Sequence, residues 1–235
     1  MQRRLVGVGV GPGDPELVTC KAARLLAEAD VVLVPVPEEG IGRAEATVRA
    51  HLSDPRTIRR VPLEADPQAA ARLVVTAYDA GVEFVAVAVL GDPTIYSSFP
   101  ALAEQVGASV EVDVEIVPGI TAMQALAATS GTPLAEGTES LTLVPAQAGL
   151  ASFTDALEHS DTVVAYEGGR YIAAMQGELT RRGRLDGAVL GEEVSLDSER
   201  ITPLVDRPEG HSRPGLTTVI VPAARDGHDR RPGGV

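Results

Sequence analysis

A chain of 235 residues with a formal charge of −13 and a pI near 4.7 is too acidic for a general nucleic-acid binder, whose balance runs the other way. Hydrophobic residues make up 44% and mean hydropathy is +0.09, as in a soluble globular protein, and no apolar run approaches the length of a membrane span. The single cysteine, Cys20, excludes an intrachain disulfide and a thiolate metal cluster and suits a cytoplasmic protein. With no Trp and only 3% aromatics, the core must be built from Val, Leu, Ile and Ala.

The amino terminus, Met-Gln-Arg-Arg, is basic, but the run behind it is too short and glycine-rich for a signal peptide. Leu5 to Val10 reads as a short buried strand with glycines that allow close approach. Asp14, Pro15 and Glu16 start a helix expected to run to about Ala29, with Cys20 packed on it as a small hydrophobe. Val31 to Val34 is an all-apolar strand covered on both faces. A turn at Gly40-Ile-Gly42 precedes a helix through Leu52 and a strand at Ile58 to Val61. Asp66-Pro67 opens a helix to Ala80-Gly81, Glu83 to Leu90 is the strongest strand, and a helix to about Gln105 leads to a strand at Val112 to Val117.

Strand–helix alternation of this kind implies an α/β domain with a largely parallel sheet over residues 1–118. Pro118-Gly119 marks the boundary. A helix from Thr121 to Ala128 opens the second half, followed by strands near Ser140 to Val144, Thr162 to Tyr166, Ala188, Arg200 to Val205 and Leu216 to Val221. Few helices separate the last of these, so residues 119–222 are expected to form a second α/β domain with a mixed sheet. Residues 223–235 read as a disordered tail.

Three glycine-bearing turns follow apolar strands: Gly9 to Gly13, Gly91-Asp92-Pro93 and Pro118-Gly-Ile-Thr-Ala122. In a doubly wound sheet such turns share the carboxyl edge and can line one crevice. A dinucleotide fingerprint is excluded, because counting G-x-G-x-x-G from Gly7 puts Pro12 at the third glycine and counting from Gly9 puts Asp14 there. No phosphate loop or nucleophile elbow occurs, and His51, His159, His211 and His228 lie too far apart for a metal set. Asp92 and Thr121 can each cap a helix or contact a ligand, and both readings stand at this level. The residues therefore describe a cleft that holds a cofactor by backbone and small side chains, with no metal and no identified catalytic side chain.

Gly-Val-Gly-Pro-Gly-Asp-Pro-Glu16, the strand ending in Gly91-Asp-Pro-Thr-Ile-Tyr96, and Val117-Pro-Gly-Ile-Thr-Ala122 resemble the motifs of the tetrapyrrole methylases, in the same order and over nearly the whole chain. The resemblance implies two α/β domains with the active-site cleft between them, and S-adenosyl-L-methionine as cofactor. It further implies a small-molecule tetrapyrrole substrate and a homodimer. Gly91 to Phe99 (GDPTIYSSF), Pro62 to Asp66 and Val144 to Ala146 most resemble the branch that methylates C20 of precorrin-2, or its cobalt form, in cobalamin synthesis. Another corrin carbon, uroporphyrinogen-III, a protein or ribosomal RNA target, and a non-catalytic S-adenosylmethionine-binding domain are the alternatives.

By motif, the resemblance places Val10, Gly11 and Pro12 along the cofactor, Gly91, Asp92, Ile95 and Tyr96 on a second side, and Thr121 and Ala122 at its methionine portion. It places Tyr166 at the adenosine, with Val194 and Thr218 closing the pocket. Arg43 and Arg170 are expected at the rim, where substrate carboxylates need cations. Tyr96 and Glu167 are candidates for a base that takes a ring proton, neither is singled out, and the catalytic residue is left unassigned. The chain departs from many relatives at Tyr166-Glu-Gly-Gly-Arg170 and at Glu192-Glu-Val-Ser195, both in the second-domain wall.

Overall fold

In the computed structural model, which describes residues 3–36, 40–166, 168–207 and 217–225, the glycines of the first strand make room for a helix. Along β1 (Arg4–Gly9), Val6 and Val8 point to one face while Leu5 and Gly7 point to the other. A Cβ on Gly7 would lie 2.5 Å from the ring of Phe99, which is fully buried. The missing side chain thus lets that helix start pack directly on the strand.

The chain divides into two compact units, Met1–Thr121 and Ala122–Val235. In the first, β2 (Val31–Pro35), β3 (Ile58–Val61), β4 (Phe84–Val89) and β5 (Asp113–Val117) join β1 in the order β3-β2-β4-β1-β5, and every pairing is parallel. Helices α1 (Cys20–Glu28) and α2 (Arg43–His51) cover the Val6–Val8 face, and α3 (Pro67–Asp79) and α4 (Phe99–Ser109) cover the other. The chain leaving β4 therefore goes to the face opposite that taken by the chain leaving its neighbours β1 and β2. A crevice opens at the carboxyl edge where such a reversal occurs.

The second unit begins with α5 (Ala122–Ser130) and holds β6 (Leu141–Pro145), β7 (Thr162–Tyr166), β8 (Val189–Glu192), β9 (Arg200–Pro203) and β10 (Thr217–Val221). Their order is β6-β7-β10-β8-β9, with β6–β7 parallel and the remaining pairs antiparallel, which makes the sheet mixed. Helices α6 (Gly149–His159) and α7 (Ile172–Arg181) build one core face from Phe153, Leu157, Met175 and Leu179.

Several expectations are corrected. The helix expected from Pro15 to Ala29 is broken into a single 3-10 turn, Pro15–Leu17, capped by Asp14, and α1, capped by Thr19. The Thr19 hydroxyl accepts from Ala22 N at 3.2 Å, and this local bond restarts the helix. Cys20, first in α1, is exposed because the apolar stripe consists of Ala22, Leu25 and Leu26. Helix α4 runs past Gln105 to Ser109, held by buried Val106. Strand β9 stops at Pro203, after which Leu204–Asp206 turns as 3-10 helix. Ala223 to Arg225, expected to begin a disordered tail, are tied down: Ala223 N donates to Thr162 Oγ1 at 3.0 Å and Arg225 pairs with Glu136 and Glu139. Residues 226–235 lie outside the described residues.

Candidate functional site

The three glycine-bearing turns meet at the carboxyl edge of the first unit's sheet. Gly11 and Gly91 form an antiparallel bridge in which Gly91 N donates to Gly11 O at 2.8 Å. Both have left-handed backbone, with φ of 75° and 72°, a conformation that costs glycine nothing. The third turn is pressed onto the other two. A Cβ on Gly119 would lie 2.1 Å from Gly91 O and 2.8 Å from Gly9 Cα, so only glycine fits there. Val10, Gly11 and Pro12 are buried beneath this junction.

Asp92 fastens it. One carboxylate oxygen accepts from Thr94 N at 2.7 Å and from Thr94 Oγ1 at 2.5 Å, and the other accepts from Gly119 N at 2.9 Å. Burial pushes this carboxyl up, but the donors from Thr94 and Gly119 outweigh it and hold it below the usual carboxylate range. Asp92 thus caps its own turn and also pins the loop after β5 to the loop after β4. Neither of the two sequence readings of Asp92 contained this second role, because its partner lies 27 residues away.

Ile95 follows in the same turn, its N–H donating to Asp92 O at 3.2 Å. Tyr96 is 57% exposed and has φ of 48°, a backbone conformation unfavourable to a residue with a Cβ. Partial burial pushes its phenol above the ordinary tyrosine value. Thr121 is buried at the end of this unit, and Ala122 opens α5 in the next. Arg43, half-buried, opens α2, two strands from the β1 turn along the same edge.

In the second unit, Tyr166 and Thr218 are direct partners across β7 and β10, and Gly191 pairs with Thr218 from the other side. A Cβ on Gly191 would sit 2.6 Å from Val194 Cγ2 and 2.8 Å from Leu126 Cδ1, so Val194 folds back over that glycine. The three expected residues Tyr166, Val194 and Thr218 are therefore brought to one end of this sheet. Arg170 is exposed in a 3-10 turn, and Glu167 lies outside the described residues. Val194 stands between Glu193 and Ser195, with φ of 52° and 65°; with Tyr96 they are the non-glycine residues of left-handed backbone among those described. Strained backbone of this kind concentrates at ligand sites. Beside it, buried Glu192 accepts from Arg207 Nη1 at 2.7 Å and from Nη2 at 2.9 Å. The sequence reading missed this pair, since a Glu and an Arg 15 residues apart carry no local signature.

Other places offer less. A cavity of about 800 Å³ lies at the amino edge of the first sheet, against Arg3, Tyr78 and the acidic Glu83, Glu111 and Asp113. It faces away from the strand carboxyl ends, where open α/β sheets take their ligands. His51 bonds Pro15 O at 3.0 Å and fastens the end of α2; His211 and His228 fall outside the described residues. Among the described residues no group of three or more His, Cys, Asp and Glu could hold a metal, and no helix is long and apolar enough to cross a membrane.

An open parallel sheet whose carboxyl edge is stitched from backbone, followed by a mixed-sheet unit, defines a two-unit α/β protein. Comparison with known proteins narrows the class. Residues 4–205 match the family model of the tetrapyrrole (corrin/porphyrin) methylases, and the chain belongs to that family. It is 33% identical to a precorrin-2 C(20)-methyltransferase of Sinorhizobium sp, over 95% of this chain and 96% of that one. It is 31% identical to the cobalt-precorrin-2 C(20)-methyltransferase of Salmonella typhimurium, over 85% and 87% of the two chains. Among solved structures, a uroporphyrin-III C-methyltransferase from Thermus thermophilus complexed with S-adenosyl homocysteine superposes with a TM-score of 0.67 at 28% identity, covering 92% of this chain and 96% of that one. A cobalt precorrin-4 methyltransferase shares the fold with a TM-score of 0.74 at 22% identity, covering 93% and 94%.

Proposed function

We propose that this chain is an S-adenosylmethionine-dependent methyltransferase that methylates C20 of precorrin-2, or of its cobalt form, in cobalamin biosynthesis. The observation that carries the reading is the full-length likeness to the Sinorhizobium enzyme, 33% over 95% of the chain, together with GDPTIYSSF at the stitched edge. The edge suits the cofactor on its own terms. Cβ-free backbone at Gly11 and Gly91, with small and buried residues behind it, can lie along a compact ligand.

When bound, S-adenosylmethionine supplies an electrophilic methyl group. In this reading Val10, Gly11 and Pro12 border the cofactor, Gly91, Ile95 and Tyr96 line a second side, and Asp92 keeps the Gly91 and Gly119 turns in register. Thr121 and Ala122 meet its methionine portion. Tyr166, Val194 and Thr218, which stand together at one end of the second unit's sheet, are the residues that unit gives to the cofactor. The reduced macrocycle is already electron-rich at its meso carbon, so the residues mainly align the reactants and exclude water, worth roughly 7–11 kcal/mol in favourable cases. Methylation leaves one proton to be lost from the ring. Tyr96, whose phenol is pushed up by partial burial, and Glu167 are the candidates to take it. Arg43 and Arg170 serve the substrate's carboxylates. The same reading makes the protein a cytoplasmic homodimer, which sedimentation at micromolar concentration checks.

The test is incubation with precorrin-2, with and without cobalt, and S-adenosylmethionine labelled in the methyl group. Label at C20 of a trimethylated product is expected. Label at another carbon, or transfer to uroporphyrinogen-III alone, would move the chain to another branch. Tight cofactor binding without transfer to any tetrapyrrole would make it a sensor.

A further inference from the structure

Between Arg43 and Arg60 the chain carries five arginines against two carboxylates, a local positive surplus in a protein of formal charge −13. At its centre Glu45, in the first turn of α2, is 1% exposed. It accepts from Arg49 Nε at 3.0 Å and Nη2 at 2.7 Å, and from Arg60 Nε at 2.7 Å and Nη2 at 3.2 Å. The hydrogen bonds from Arg60 hold its carboxyl below the usual range, against the opposing push of burial.

Both arginines grip Glu45 by the same edge, so each turns its Nη1 side away from it. The two side chains are 41% and 44% exposed. Fastening α2 to the edge strand β3 would need only one arginine. A second leaves the cluster with a net positive charge that faces solvent and is open to a further anion. Arg59, on the other face of β3, bonds the carbonyls of Arg56 and Ile58 and adds a further cation.

The position is as telling as the charge. Arg60 stands in register with Val34, one residue before the end of β2, so the pair lies at the outer end of the carboxyl edge. Strand order puts β2 between β3 and β4, and two strand spacings, about 10 Å, separate the β3 edge from the Gly91–Tyr96 turn. That span lies within the breadth of a tetrapyrrole with its carboxylate arms, so one macrocycle can reach both the arginine pair and the turn.

We propose that Arg49 and Arg60, set side by side by buried Glu45, form a fork that docks a carboxylate arm of the anionic substrate. The proposal rests on the reading of the substrate as a polycarboxylate tetrapyrrole. It assigns the outer β2–β3 end of the edge to substrate and leaves the β4–β1–β5 end to cofactor.

Fluorescence titration with uroporphyrin, which bears acetate and propionate arms on every ring, tests it on the full chain. Arg49→Gln and Arg60→Gln are each expected to raise the uroporphyrin Kd about fivefold at low salt, and the double variant more, with convergence on wild type at high ionic strength. Affinity for S-adenosylhomocysteine should not change. If the variants bind uroporphyrin as tightly as wild type, or lose affinity for both ligands in proportion, the fork is a structural fastener and the proposal is overturned. If wild type itself does not bind uroporphyrin, the tetrapyrrole reading fails first, and the fork with it.

Discussion

The two units present their expected ligand-facing ends in opposite ways. In the first, the edge is made of backbone: Gly9 and Gly119 press on each other and on the Gly91 carbonyl with no room for a side chain on either, and Asp92 bolts the turns together. In the second, Val194 lies over Gly191 in a turn whose flanking residues, Glu193 and Ser195, hold left-handed backbone without being glycine. A junction of backbones cannot relax around an added atom, whereas side-chain ends can move. The first end should therefore be rigid and intolerant of change, the second strained and adaptable.

A matched pair of substitutions puts that contrast at risk. Gly119→Ala drives a Cβ to 2.1 Å from a backbone oxygen, and we expect a loss of about 3 kcal/mol or more together with loss of cofactor binding. Gly191→Ala meets only Val194 Cγ2 and Leu126 methyl groups, and about 1–2 kcal/mol is expected. Urea unfolding measures both, and equal costs would erase the distinction.

Asp92→Ala should cost about 2–3 kcal/mol, because the Gly119 N–H loses its acceptor, and should weaken S-adenosylhomocysteine binding in calorimetry. The sign of its pH dependence follows from its lowered pKa. The native carboxylate contributes in full above the ordinary aspartate value of about 4, and that contribution is lost as pH falls through the lower native value. Asp92→Asn should therefore flatten stability against pH in that acid window. An unaltered profile there would show that the Thr94 and Gly119 contacts carry no weight.

The smallest effect has the opposite sign. Ser195→Gly relieves a φ of 65° and is expected to stabilise by about 0.5–1 kcal/mol, after glycine's entropy is counted. A loss of stability would mean that the turn is not strained.

How much was legible in the sequence follows the same division. The turns at Gly9–Gly13, Gly91–Pro93 and Pro118–Ala122 stand out because left-handed backbone and close approach demand glycine, and glycine is visible. Parallel order in the first sheet follows from alternating strands and helices, and the mixed second sheet from late strands with little helix between them. The restart of α1 at Thr19 was hidden behind a stronger signal, Asp14-Pro15, five residues earlier. Asp92 to Gly119, Glu45 to Arg60 and Glu192 to Arg207 were illegible, because each joins residues that only the fold brings together. The strained turn at Val194 was illegible for a further reason: Glu193 and Ser195 do not announce a positive φ.

The most direct test of the stitched edge as the cofactor's seat is hydrogen exchange with and without S-adenosylhomocysteine, resolved by peptide. Protection is predicted over residues 10–14, 91–96 and 118–121, with no change at the amino edge of the same sheet, around residues 81–83 and 111–113. Protection at the amino edge, with the three turns exchanging as in the free protein, would contradict the account.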